Sequence, residues 1–382
     1  MGMEVREISD RSEWDAFVSQ AKTGHLMQSY QWGELMKLDG HRILRLGVLE
    51  NGRLAAAALV VIFTFPYVRA PWFYVLRGPV VDDFDSPALP VLINALHQAA
   101  KREHAVVLKV EPHIDEDGPA ASQWRQALAR LDFKPNPIPT HVRRSWLLDI
   151  APPEQKLLAD MKITWRQNVR KAERSGVQTR VAQTPEDLAA FYRIYQQTSQ
   201  RDDFTILPMK HYADILELFG EDACLYLAES EGETLVGHFL IRYGACCWDM
   251  FGATSESQKK LRPGYLLHWK TFLWAKERGC TLYDFRGIPE VLEPGEEMWN
   301  VYEYKRGFGG FSQLSLATHD YVYRPLLYWP VTLASRARVN RRKRARRKWE
   351  LERAQRGKGA APEGARPEEK EQETGGAKGA EA

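Results

Sequence analysis

Apolar and polar positions follow two rhythms along this chain, and one succession of those rhythms occurs twice. Residues 54–65 form a nearly unbroken run of small, β-branched and aromatic side chains, and 72–81 form a second run broken by Gly78-Pro79. Residues 86–104 then place Leu89, Leu92, Ile93, Leu96 and Ala99 at steps of three and four, and 105–112 return to a short apolar run. The same order reappears at 234–244, 246–254, 262–279 and 280–288, where Leu266, Trp269, Phe272 and Leu273 keep the helical step and Lys276 is its polar end. Each copy reads as strand, strand, helix, strand. The repetition predicts a tandem duplication of one α/β unit.

Between the copies stand Pro135-Asn136-Pro137-Ile138-Pro139, an alternating strand at 146–150, and Ala151-Pro152-Pro153. The domain change is therefore expected near residue 150. This gives a first domain at 1–150 and a second at 151–320. A segment at 321–335 is expected to pack back on the first domain, followed by a polybasic helix or arm at 336–356 and a disordered tail at 357–382. A single helix is expected over 153–175, ended by Gly176. Lys162, Arg166, Arg170 and Arg174 recur on it every four residues beside an apolar stripe of Met161, Trp165, Val169 and Ala172. Such a stripe is either a solvated face or a surface for phosphates; four cations without an acid before Glu173 favour phosphate.

Composition changes the picture mainly at the end of the chain. Residues 336–382 hold 15 Lys and Arg against 8 Asp and Glu, leaving 38 against 42 for the rest, so a body of −4 carries a tail of +7. With 44% hydrophobic residues in 382, the body is long enough for two packed domains. Cys224, Cys246, Cys247 and Cys280 have no C-x-x-C spacing, and the adjacent pair on a strand points to opposite faces, so core thiols are expected and no metal site. The charged N-terminus lacks a signal-peptide core, and the longest apolar stretch, 54–68, is too short to span a bilayer and contains Pro66. A cytoplasmic location is expected.

No H-E-x-x-H, G-x-S-x-G, Walker loop or strand-linked G-x-G-x-x-G is present. The Gly-rich stretch 306–311 reads as a strand and turn, with Tyr302, Tyr304 and Phe308 as strand residues. The repeated unit resembles the GNAT acyltransferase fold, which implies two tandem GNAT-like α/β domains with mixed sheets flanked by helices. GNAT enzymes cradle a pyrophosphate on a Gly-rich loop opening the central helix. The equivalent loops here carry Asp82, Asp83 and Asp85, which repel phosphate, and Pro263, which lacks an N–H. No cofactor is expected, and the acyl donor must be something other than coenzyme A.

Further segments resemble the Fem family of peptidoglycan interpeptide-bridge aminoacyltransferases, through nearly all of residues 4–325. They are Leu26-Met27-Gln28-Ser29-Tyr30-Gln31-Trp32-Gly33-Glu34-Leu35-Met36-Lys37 with Gly40, then Leu76-Arg77-Gly78-Pro79-Val80-Val81-Asp82. In the second half they are Met161 with Trp165-Arg166-Gln167-Asn168-Val169-Arg170, then Tyr195, Thr198, Arg201 and Asp202, Tyr283-Asp284-Phe285-Arg286-Gly287, and Tyr302-Glu303-Tyr304-Lys305-Arg306-Gly307-Phe308. The resemblance implies transfer of an aminoacyl group from aminoacyl-tRNA to an amine on a peptidoglycan precursor, nucleotide-linked or lipid-linked. An aminoacyl ester is already activated, so the enzyme needs no Ser or Cys nucleophile; it must orient the reactants, help remove a proton and stabilise an oxyanion.

Carried over residue by residue, the resemblance makes Lys305 the cation beside the reacting group. It puts Glu111 where a carboxylate accepts the amine's proton, binds the ammonium, or forms a buried ion pair. Trp32, Lys37, Arg77, Tyr212 and Arg286 fall to the substrate, and Lys162, Arg166, Arg170 and Arg174 to tRNA phosphates. The departures are local. The family's precursor-binding lysine falls on Met36, with Lys37 one place along and about 100° around a helix. A family arginine falls near Leu207, leaving Lys210 or Arg201 as substitutes, and two expected aromatics are replaced by Val106 and Phe251. The coiled helical arm of some members is missing, which is similar to the compact branch.

The tail has three readings: a solvated extension, an arm for tRNA, and an electrostatic clamp on the inner membrane surface beside 326–333. Each cation near an anionic leaflet contributes roughly 1 kcal/mol, which puts the membrane slightly ahead. Two other functions stay open: a GNAT-like N-acyltransferase with another donor or acceptor, and a silent RNA- or membrane-binding relative.

Overall fold

The apolar runs assemble into two mixed sheets, each packed on one face by the helix of its own repeat. The computed structural model describes residues 2–65, 69–136, 142–334, 336, 337 and 341. The strands are β1 (Met3–Glu7), β2 (Arg42–Glu50), β3 (Arg53–Thr64), β4 (Pro71–Val75), β5 (Val80–Val81), β6 (Val107–Val110), β7 (Lys134–Pro135), β8 (Arg144–Asp149), β9 (Gln178–Val181), β10 (Ala223–Ser230), β11 (Glu233–Tyr243), β12 (Cys246–Thr254), β13 (Leu282–Gly287), β14 (Phe311–Leu314) and β15 (His319–Val322). The first sheet runs β1-β2-β3-β4-β6-β15-β7 with β5 on β3, and the second runs β14-β8-β13-β12-β11-β10-β9. Each sheet has one parallel pair among the described strands, β4 beside β6 and β12 beside β13, and those pairs flank the helices Ala88–Arg102 and Pro263–Glu277. These are two tandem GNAT-like domains, an α/β fold.

Side-chain alternation explains how the halves join. Cys247, Tyr283 and Phe285 face the Pro263–Glu277 helix, while Trp248, Phe239 and Ile241 face the other way, into a core shared with Trp14, Leu26, Leu35 and Tyr74 of the first half. The cysteine pair divides accordingly, Cys246 toward the shared core and Cys247 toward the helix. Residues Met1–Tyr328 form one compact body, and Trp329–Ala382 a second unit.

Several expectations need correction. Strand Arg144–Asp149, left in the first domain by a boundary at 150, pairs with β13 and β14 and belongs to the second sheet. The proline-rich link therefore ends before Arg144. The helix expected over 153–175 is two, Glu154–Asp160 and Ile163–Arg174. The break falls at Met161 and Lys162, both extended, where Met161 turns into the core and the Lys162 N–H donates to the Gly307 carbonyl at 2.8 Å. Residues 302–306 are not a strand but the end of helix Trp299–Arg306, so Lys305 is helical. The chain then returns to the first sheet through β15, and Tyr328 is buried against Ala70, Val106 and Val107. Of the polybasic segment only Arg336, Ala337 and Arg341 are described; the remainder, and the tail expected at 357–382, lie outside the described residues.

Candidate active site

A parallel pair that stops while its strands continue leaves a wedge between them. β12 and β13 pair only from Cys246–Trp248 to Leu282–Asp284; beyond that β12 follows β11 to Thr254 and β13 follows β8 to Gly287. Helix Trp299–Arg306 sets Lys305 at this opening, where its Nζ donates to the Gly287 carbonyl at 2.8 Å. The helix is held by Trp165, whose Nε1 donates to the Tyr304 carbonyl at 2.9 Å. Gly307 follows because a Cβ there would sit 2.2 Å from the Trp165 indole. Burial brings the Lys305 amine down to about 8, against the opposing pull of Asp249 and Asp284. Burial likewise raises Asp284, whose Oδ1 accepts the Arg286 backbone N–H at 2.6 Å.

The first half closes the corresponding gap. After Val75 and Val110, the Glu111 N–H donates to the carbonyls of both Val75, at 3.2 Å, and Gly78, at 2.9 Å. The Glu111 carboxylate is 1% exposed, accepts from the Tyr74 hydroxyl and pairs with Arg77 Nη1 at 3.3 Å. Of the readings open for Glu111, the observed geometry is the buried ion pair. Arg77 and Arg286 meet at an inter-sheet cavity of about 260 Å³, lined also by His25, His113, Asp284 and Cys246. Burial, then the two arginines, holds the His113 imidazole down at about 3, and burial raises the Cys246 thiol well above its usual range. Cys246 is thus a protonated thiol rather than a nucleophile.

Lys305, Arg286, Arg77 and Glu111 therefore share one centre. Trp32, Lys37 and Tyr212 gather elsewhere, where helix Tyr30–Leu38 packs on helix Met209–Phe219 and His211 Nδ1 meets Asp39 at 2.9 Å. Trp32 and Tyr212 are core residues there, at 7% and 1% exposure, because their rings complete the shared core. Lys37 is exposed and ion-paired with Glu34 at 2.9 Å. On the basic helix Arg170 and Arg174 are exposed, Lys162 lies over the Trp165 ring, and Arg166 donates to the Ala159 carbonyl at 2.8 Å, capping the preceding helix.

Sequence reasoning missed His238, Asp249 and His268, which cluster beside Lys305's wedge. Asp249 Oδ2 accepts from His238 Nδ1 at 2.7 Å and from Tyr283 O–H at 3.2 Å, and His268 Nε2 lies 3.3 Å away. Burial opposes the Asp249 charge, but the histidines outweigh it and hold the carboxyl well below its usual range. The donor atoms lie within 4.8 Å of one another, close enough for a metal ion, yet Asp249 Oδ2 is already taken by hydrogen-bond donors. The available signal was one ionisable residue inside each of three apolar runs, since each must find a partner when buried.

Known proteins agree with this architecture. Residues 160–306 match the model of an acetyltransferase (GNAT) domain, and residues 9–123 that of the FemAB family. A lipid II:glycine glycyltransferase of Staphylococcus aureus (strain MRSA252) is 23% identical, over 85% of this chain and 94% of that protein. The crystal structure of FemX superposes with a TM-score of 0.78 at 21% identity, covering 86% of this chain and all 100% of that one. L-PGS from Bacillus licheniformis shares the fold more loosely, with a TM-score of 0.52 at 15% identity over 86% of this chain and 98% of its own. A FemAB match in the first half, a GNAT match in the second, and a relative aligned across both make the chain similar to the Fem family over most of its length.

Proposed function

We propose that this chain is an aminoacyltransferase of peptidoglycan bridge synthesis, moving an amino acid from aminoacyl-tRNA to an amine on the stem peptide of a precursor. The observation that carries this reading is Lys305, a half-buried lysine at the wedge of the second domain whose amine is anchored on the Gly287 carbonyl. The acceptor amine attacks the ester carbonyl, giving a tetrahedral oxyanion that the Lys305 ammonium stabilises. The carbon–oxygen bond to the tRNA ribose then breaks, the ribose oxygen takes up a proton, and the attacking nitrogen loses one. Arg77 and Arg286 supply fixed positive charge beside the reacting groups. The exposed Arg170 and Arg174 suit the tRNA backbone, and the +7 tail suits either tRNA or an anionic leaflet. No described helix is long and apolar enough to cross a membrane, so binding to a lipid-linked acceptor would be peripheral. The relatives named for lipid II make a lipid-linked precursor the first acceptor to try.

The test is incubation of the purified chain with a pool of radiolabelled aminoacyl-tRNAs and either lipid-linked or nucleotide-linked muropeptide. RNase-sensitive transfer of label to a precursor is expected. No transfer to either precursor, with substrates that a reference transferase consumes, would refute the reading.

A further inference from the structure

The cluster behind Lys305 is more than a satisfied core. His238, Asp249 and His268 come from β11, β12 and helix Pro263–Glu277, and all three are buried. Beyond the three groups around Asp249 Oδ2, the chain of contacts continues outward. The other ring nitrogen of His268, Nδ1, lies 3.0 Å from the Tyr304 hydroxyl and 3.1 Å from the Gly264 carbonyl oxygen. The hydroxyl of Thr271 backs Tyr283 at 3.0 Å. Tyr304 precedes Lys305 on the same helix, so one hydrogen-bonded path links the carboxylate to the residue beside the amine.

Charge points the same way. The groups facing Lys305 are Asp249 from β12, Asp284 and Arg286 from β13, and the Gly287 carbonyl. Asp284 is a poor counter-charge, because burial favours its protonated form and Arg286 stands beside it. Asp249 is the dependable one, since its donors hold it ionised; His268 is held neutral, at about 4, by burial and by His238.

We propose that Asp249 is a positioning residue for Lys305, its carboxylate the fixed counter-charge behind the amine and His268 the tie that keeps carboxylate, Tyr304 and Lys305 in register. The inference rests on the function proposed above only for its effect on turnover; the coupling between Asp249 and Lys305 stands apart from it.

The experiment uses the full chain and an amine-reactive acylating reagent, following Lys305 modification against pH by mass spectrometry, beside the pH profile of turnover. In Asp249→Asn the Lys305 midpoint is expected to fall from about 8 by roughly one unit, and the basic limb of kcat to fall with it while KM for the acceptor holds. Asp249→Glu, which keeps the charge, should restore most of the midpoint. If Asp249→Asn does not fold, the reciprocal variant Lys305→Met carries the test: coupling is mutual, so loss of the cation should raise the titration of His268, read by NMR, above about 4. An unmoved Lys305 midpoint in folded Asp249→Asn, or unmoved histidine signals in Lys305→Met, overturns the proposal. So does a stoichiometric divalent ion retained by the protein and lost, together with activity, on chelation. A shifted midpoint with turnover unchanged at every pH would uphold the coupling and remove Lys305 from the chemistry.

Discussion

Arg77→Met tests whether Glu111 is a proton acceptor or half of an ion pair. The variant keeps the length of the side chain and removes the cation 3.3 Å from a carboxylate that is 1% exposed. What remains to Glu111 is the Tyr74 hydroxyl and the charge of Arg286 nearby, so the buried carboxylate loses its directly paired cation. Breaking a buried pair from one side costs about 3–5 kcal/mol, a large part of a total stability of roughly 5–15 kcal/mol. Urea unfolding of the full chain, followed by far-ultraviolet circular dichroism, should show that loss. Arg77→Met/Glu111→Gln removes both charges and should recover most of it, a coupling of at least about 2 kcal/mol. Arg77→Met within about 1 kcal/mol of the parent, or additive effects in the double variant, would refute the ion-pair reasoning. Turnover adds a second reading. If Glu111→Gln folds fully and loses turnover by roughly 10²–10⁴-fold, the carboxylate is handling a proton after all.

Three further outcomes are expected. Lys305→Ala should fold at least as well as the parent while losing turnover, because it removes a buried cation; in the parent, activity should decline as pH rises through about 8 and the ammonium is lost, which a pH profile of label transfer checks. Since that folded-state value lies below the usual lysine range, the charge of Lys305 costs stability below about 8 and the cost fades as pH rises, so urea stability should rise there in the parent but not in Lys305→Ala. Gly307→Ala should destabilise by roughly 1–3 kcal/mol and cut turnover, since its Cβ meets the Trp165 indole at 2.2 Å; thermal melts and tryptophan fluorescence read it. Deleting residues 336–382 removes a net +7 and should weaken binding to anionic vesicles or to tRNA, more at low salt, with the melt of the body unchanged; equal binding would make the tail a solvated extension.

The duplicated grammar of strands and helix was legible because it depends on local periodicity, and the runs at 54–65 and 246–254 fold as read. What failed were the places where tertiary contacts override a local signal. Tyr302, Tyr304 and Phe308 look like strand residues because aromatics favour strands, but here they are helix and turn residues, Tyr304 packed on Trp165 and His268, Phe308 on His268, and Tyr302 on Trp146. The helix break at Met161 comes from the Lys162 bond to Gly307, a partner far along the chain. Lys305 and Arg286 could be picked from motif segments, whereas Asp249 and its histidines could not, because their meaning lies in three elements converging.

Both halves were built from one unit, yet they end differently just past their parallel pairs. In the first, the Glu111 N–H bridges the Val75 carbonyl at the end of the neighbouring strand and the Gly78 carbonyl in the turn beyond it, and its carboxylate draws Arg77 inward, so the gap is filled by protein. In the second, β13 stays with β8, and the Gly287 carbonyl at its end is left to Lys305. A wedge filled by an ion pair can brace the shared core and present Arg77 to the cavity. A wedge ending in an amine, with a carboxylate held behind it, keeps a charge at its mouth. In the proposed reaction the duplication therefore divides the work: the first domain supplies a rigid wall and positive charge, and the second supplies the amine beside the acyl group.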